Sequence, residues 1–134
     1  MAFLEEIQVR TGNRQEMVDV TRSVARVLAD SGVKQGLCLV FCPHTTGAVA
    51  INENADPAVV SDTLMKLNKL VPHEEGYRHA EGNSDAHIKS NLVGTSRTVP
   101  VHDGELVLGT WQSIFFCEFD GPRSRRLVVQ ILEG

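Results

Sequence analysis

The chain has 134 residues, 42% of them hydrophobic, which is enough for one domain with a core and too few for two ordinary ones. Its 13 Lys and Arg against 17 Asp and Glu give a formal charge of -4, which argues against a nucleic-acid backbone as the main partner, and five Phe, one Tyr and one Trp are few for base stacking. Cys38, Cys42 and Cys117 are odd in number and lack C-x-x-C spacing, the N-terminus reaches acids at Glu5 and Glu6, and no apolar run approaches membrane-spanning length. The expectation is therefore a soluble, unprocessed, cytoplasmic protein in a reducing setting, without a disulfide framework, a zinc ribbon or a membrane partner.

Alternation at Ile7, Gln8, Val9 and Arg10 predicts a half-buried strand over residues 3–10. Asn13 followed three residues later by Glu16 resembles a capping box, and Met17, Val20, Val24, Val27 and Leu28 recur at helical spacing before Gly32, so a first helix is expected there. Leu37–Phe41 and Ala48–Ile51 are short β-leaning runs flanking a turn, Pro43–Gly47, that carries His44. Asp56-Pro57 is an N-cap and first-turn pair for a second helix of about fifteen residues, Pro57–Val71, lined by Val60, Leu64, Leu67 and Val71 and stopped by Pro72.

The segment 76–87 contains His79, His87, Glu81 and Asp85 with almost nothing apolar to bury, and a short helix is expected from Ser84 or Asp85. Strands follow at about 98–101, 106–108, 112–119 and 126–132, with turns at His102-Asp103-Gly104 and Asp120-Gly121-Pro122. The pattern predicts a single α+β domain, residues 1–134, with a mixed or antiparallel sandwich-like sheet, two main helices and one short one. Residues 112–119 place Ile114 and Phe116 on one face and Phe115, Cys117 and Phe119 on the other, so that strand lies between layers or under a partner subunit.

Three imidazoles, His44, His79 and His87, would supply the three protein ligands of a catalytic divalent-metal site, with zinc the first choice. Their spacing matches no compact zinc signature, and an ordinary hydrogen bond to a nearby turn is the competing reading. Thr45 and Thr46 before Gly47 offer hydroxyls and N–H groups to a phosphate or oxyanion, or form an ordinary turn. Glu53 would orient an imidazole or act as a base, against a solvated strand end. Asp85 would be a ligand, an imidazole partner or a helix cap. Arg123 and Arg125 can present guanidiniums to phosphate, and the alternative for both is a solvated hairpin end. His73 and His102 read as a solvated helix end and a hairpin turn, and Cys42 as a packed thiol.

Pro43-His44-Thr45-Thr46, Asn52-Glu53-Asn54, Tyr77-x-His79, Glu81 through Lys89, Leu108 through Gln112 and Phe119 through Arg123 together resemble the YjbQ family over nearly the whole chain. Some members of that family carry the name secondary thiamine-phosphate synthase. The resemblance implies a small α+β domain with a sandwich-like sheet, a homotrimer, and a metal site at the matching His44, His79 and His87.

Thiamine-phosphate synthesis joins a pyrimidine diphosphate to a thiazole phosphate and expels pyrophosphate, so cations must stabilise the leaving polyanion; Arg123, Arg125 and Lys89 are the candidates. A TIM barrel of roughly 250 residues, the fold of the dedicated synthase, is out of reach for this chain. The leading expectation is a metal-dependent enzyme of a small phosphorylated or heterocyclic metabolite, and the alternative a trimeric metal- or ligand-binding module without turnover.

Overall fold

Gln112–Glu118 forms a strand with apolar side chains on both faces, and the layers of the fold follow from that. A computed structural model describes residues 1–134 as β1 (Ala2–Arg10), β2 (Glu16–Asp19), α1 (Thr21–Ser31), β3 (Gly36–Phe41), β4 (Gly47–Glu53), α2 (Pro57–Leu70), α3 (Ser84–Val93), β5 (Ser96–His102), β6 (Glu105–Leu106), β7 (Gln112–Glu118) and β8 (Ser124–Glu133). Two sheets result, one ordered β1-β8-β3-β5-β6 and one ordered β2-β7-β4, with every strand pair antiparallel. The α+β class with sandwich-like sheets and three helices is the one expected, and no helix is long and apolar enough to cross a membrane.

The larger core lies between the sheets. Ile7 and Val9 of β1, Cys38 and Val40 of β3, and Leu127, Val129 and Ile131 of β8 meet Val24, Val27 and Leu28 of α1 and Ile114 and Phe116 of β7. Phe115, Cys117 and Phe119 point the other way, with Ala48, into a smaller core roofed by Ala86 of α3 and by the half-buried Val60, Leu64 and Leu67 of α2. The two-faced strand is therefore covered within the chain, and its apolar faces give no reason for a partner subunit.

The first helix is shorter than its periodicity suggests. Residues 16–19 are strand β2, with Met17 opposite Cys117 and Val18 opposite Phe116. Strand β7 has an open edge beside two apolar faces, and pairing there outweighs the weak local helix preference. Glu16 does reach back as a capping-box acid would, accepting from the N–H groups of Gly12 and Asn13 at 2.5 and 2.9 Å, but what it closes is a turn. The helix begins instead at Thr21, whose N–H donates to Asp19 Oδ1 at 2.9 Å.

Helix α2 is capped as expected, Asp56 accepting from the Ala58 N–H at 2.9 Å. The runs on either side of the His44 turn are both strands, yet they enter different sheets, β3 the larger and β4 the smaller. The turn carrying His44 thus crosses from one sheet to the other, at the end of the sandwich where the inward row of side chains turns polar.

Candidate functional site

Strand parity delivers that polar layer. Ile114 and Phe116 of β7 face the inter-sheet core, and Glu118 continues the same row; Leu127, Val129 and Ile131 of β8 do likewise, and Arg125 precedes them. Thr11 extends the Ile7–Val9 row of β1. Arg125 Nε donates to Glu118 Oε1 at 2.9 Å, its Nη2 pairs with Glu118 Oε2, and the Thr11 hydroxyl donates to Oε1 at 2.8 Å. Burial alone would push the Glu118 carboxyl up, but the hydrogen bonds from Arg125, Thr11 and the Asp120 N–H hold it below its ordinary value.

This layer sets the turn above it. Arg125 Nη2 also donates to Thr46 Oγ1 at 2.8 Å, so the Thr46 hydroxyl has an acceptor role filled and its proton left to give. The Arg126 N–H donates to His44 Nε2 at 3.0 Å, which requires an unprotonated Nε2 and puts the proton of the neutral ring on Nδ1. Burial and the nearby Arg125 charge lower the His44 pKa, favouring that neutral form. Two glycines let the backbone approach: a Cβ on Gly47 would lie 2.7 Å from the Phe116 ring, and one on Gly121 2.4 Å from the Asn13 carbonyl oxygen.

Helix α3 brings the other wall. The Ser90 hydroxyl donates to the Gly47 carbonyl at 2.7 Å, fixing the helix against the start of β4. Its N-terminus, at Asn83, then borders a cavity of about 600 Å³ with no hydrophobic lining residue. His44, Thr45, Thr46, His79, His87 and Arg123 all line it, so six of the side chains singled out in the sequence share one space, with Arg125 as its floor. His79 and His87 meet edge to face, ring centroids 5.3 Å apart. Arg123 is half exposed and tied to Asp120 through Nε to the carbonyl at 2.9 Å and Nη2 to Oδ2 at 3.2 Å.

Three expected participants are elsewhere. Residues two apart on a helix point about 200° apart, so Asp85 and His87 cannot both face the cavity. Asp85 and Lys89, one turn apart, are both fully buried on the opposite side of α3. There Asp85 Oδ1 is 3.2 Å from Arg14 Nη2 and 3.1 Å from His73 Nδ1, while Lys89 Nζ donates to Asn68 Oδ1 at 2.5 Å. Burial raises the Asp85 pKa, but His73 and Arg14 lower it further; burial lowers that of Lys89. The cluster ties α2 and α3 to Arg14 and His73. Glu53 is at the far end of β4, six residues from Gly47 and so roughly 20 Å away along the strand.

Arg125 itself is 4% exposed; its Nε and Nη2 are taken by Glu118 and Thr46 and orient the turn, while its Nη1 makes no hydrogen bond and remains a donor beside the cavity it lines. His73, expected at a solvated helix end, is half exposed there and also joins Asp85. Glu118 and Thr11 were missed, although their parity with buried neighbours marked them as inward-facing. Glu81, Asn83 and Asp120 were missed as cavity residues as well; Asn83 Nδ2 donates to Asp120 Oδ2 at 2.8 Å.

The three imidazoles share a cavity without forming a metal cage: no group of three His, Cys, Asp or Glu side chains is close enough to hold an ion. The lone pair of His44 Nε2 is also taken by the Arg126 N–H. The three-imidazole centre does not fit one chain as it stands.

The class defined here is a small two-sheet α+β domain with a polar, histidine-rich cavity where the sheets part. The chain belongs to the YjbQ family: the family model described as "UPF0047 protein YjbQ-like" matches residues 5–134. It is 49% identical over 130 residues to a UPF0047 protein of Methanocaldococcus jannaschii, covering 97% of this chain and 94% of that one, and 48% identical to YugU of Bacillus subtilis, covering 97% and 99%. Among solved structures, a YjbQ/UPF0047 protein of Clostridium acetobutylicum superposes with a TM-score of 0.94 at 48% identity, over 96% of this chain and 99% of that one. A protein of unknown function from Sulfolobus solfataricus does so with 0.96 at 36% identity, over 100% and 99%.

Proposed function

We propose that the chain is an enzyme acting on a small phosphorylated or heterocyclic metabolite whose phosphate seats in the cavity between the His44–Gly47 turn and the start of α3. One observation carries this reading: the hydrogen bonds beneath the cavity fill the acceptor positions of His44 and Thr46 and leave protons to be donated. Arg123 and the α3 N-terminus add positive potential on the same side. Such a set suits an oxyanion with several acceptor oxygens. His79, His87 and Glu81 are the titratable groups available for proton transfer.

Thiamine-phosphate synthesis is the named form of this proposal, since its leaving group is pyrophosphate, and no step of it needs Asp85, Lys89 or Glu53 of the same chain. Purified protein given the pyrimidine diphosphate and the thiazole phosphate would release pyrophosphate and form thiamine phosphate, and His79→Ala or His87→Ala would abolish this. Calorimetry with pyrophosphate tests the site apart from the reaction; no binding at millimolar concentration sinks the anion reading.

Metal dependence belongs to the same proposal in a narrower form, supported by the adjoining His79 and His87 rings, which offer two donors. The second reading is a trimeric metal- or ligand-binding module without turnover, favoured by the burial of Asp85 and Lys89 away from the cavity. The homotrimer is proposed on exposed apolar side chains: Leu4, Leu37, Phe41 and Leu132 on the outer face of the larger sheet, a surface self-association would cover.

A further inference from the structure

The two ends of the smaller sheet are complementary and cannot meet within one chain. At the His44 end is the cavity, rich in donors and histidines but with no apolar lining residue. Sites for small organic molecules are ordinarily lined mostly by apolar and aromatic side chains, with a few polar groups to orient the ligand. Apart from the His79 and His87 rings, the ring of a heterocyclic substrate would find no apolar wall in this cavity.

The opposite end carries what the cavity lacks. Glu53 pairs with Gln112 across β4 and β7, and a tight turn closed by the Gly109 N–H to Gln112 Oε1 bond, 2.8 Å, presents Trp111. Trp111 is 66% exposed, and Val107 nearby in the chain is 51% exposed. Solvation costs an indole more than almost any other side chain, and Trp is the residue most enriched at the energetic centres of interfaces.

Charge points the same way. Asp19, held by Thr21 and Asn54, lies at this end with Glu53 and Asp56. The Glu53 carboxylate accepts no hydrogen bond and joins no ion pair in the chain; the bond to Asn52 Oδ1 is donated by the Glu53 backbone N–H. An acidic end with an exposed aromatic faces outward, and an end rich in hydrogen-bond donors and histidines but without an apolar wall does too. Contact between unlike ends of identical chains is heterologous, and it is satisfied throughout only if the chains close into a ring.

We infer that the site is composite: the Glu53–Trp111 end of a second copy of this chain docks at the cavity of the first. Trp111 of the partner subunit forms the missing apolar wall, and Glu53 of the partner subunit adds a carboxylate to the histidine-rich rim. Three such contacts close the proposed trimer with three equivalent sites. The inference rests on the reading of the cavity as a ligand site, and the measurements separate the two.

Trp111 is the only tryptophan, so intrinsic fluorescence reports on it alone. In the assembled protein its emission is blue-shifted and protected from acrylamide. Added pyrophosphate changes it, although the cavity of the same chain is roughly 20 Å away along β4. Thr110→Cys combined with Glu81→Cys places thiols at two exposed sites, one beside the cavity and one at the Glu53 end of the smaller sheet, whereas bridged Cα atoms lie within about 7 Å. Oxidation then links chains to one another, and denaturing electrophoresis shows covalent multimers absent from either single variant.

A freely quenched Trp111 in assembled protein, or a chain that stays monomeric at micromolar concentration, overturns the composite site, as does a failure to cross-link. If pyrophosphate binds by calorimetry while Trp111 stays silent and no cross-link forms, the composite site is wrong and the anion reading stands. Cross-linking and a shielded Trp111 without pyrophosphate binding uphold the interface and overturn the anion reading.

Discussion

Arg125 Nε lies 2.9 Å from Glu118 Oε1, and neither side chain reaches solvent beyond a few per cent. The pair closes the inter-sheet core at the one end where the strand rows become polar, and through Thr46 it sets the direction of the hydrogen bonds offered to the cavity. Structure and site depend here on the same ion pair.

Removing one partner leaves a buried charge uncompensated. Glu118→Ala or Arg125→Ala is expected to cost about 3–5 kcal/mol in chemical denaturation. Glu118→Leu with Arg125→Met restores much of that stability, because a packed apolar pair avoids the desolvation cost, but weakens pyrophosphate binding because Thr46 loses its donor. Full affinity in the double variant would show that the pair does not orient the turn.

The acid limb of stability follows from the same carboxylate. Its folded pKa is depressed, so as pH falls below the ordinary glutamate value of about 4.3 the unfolded chain takes up the proton first. Stability present above that value is lost as pH falls through the folded pKa. His44 acts in the same direction at higher pH: its folded pKa is lowered, and stability declines as pH drops below about 6.5. Urea melts at stepped pH should show both phases, and His44→Gln should remove only the upper one.

Asp85 and Lys89 are expected to behave as structural residues. Asp85→Ala leaves Lys89, Arg14 and His73 around an empty position and should destabilise by about 3–5 kcal/mol. Pyrophosphate affinity, measured where the variant is still folded, should change less than threefold, which is about 0.65 kcal/mol. A larger loss with intact stability would return Asp85 to the site.

Elemental analysis of tag-free protein distinguishes the histidines. His79→Ala and His87→Ala should each lower any bound zinc, while His44→Ala leaves it unchanged, since the Nε2 of His44 is already an acceptor for the Arg126 N–H. Equal loss in all three would require His44 to turn and would restore the three-imidazole centre.

Local chemistry determined much of this protein from its sequence. The Asp56-Pro57 helix start, the hairpin turn at Asp103-Gly104, the alternation of β8 and the gathering of His44, His79, His87 and Arg123 rest on patterns within a few residues or on whole motif blocks. What only the tertiary structure decided is where pairing and direction come from distant partners. Met17 and Val18 became a strand because β7 had an edge to fill, 100 residues away. Helical rotation sent Asp85 and Lys89 away from His87, strand length carried Glu53 out of the cavity, and the Arg126 N–H chose the proton position on His44. Periodicity shows which side chains share a face; only the packed chain shows what that face meets.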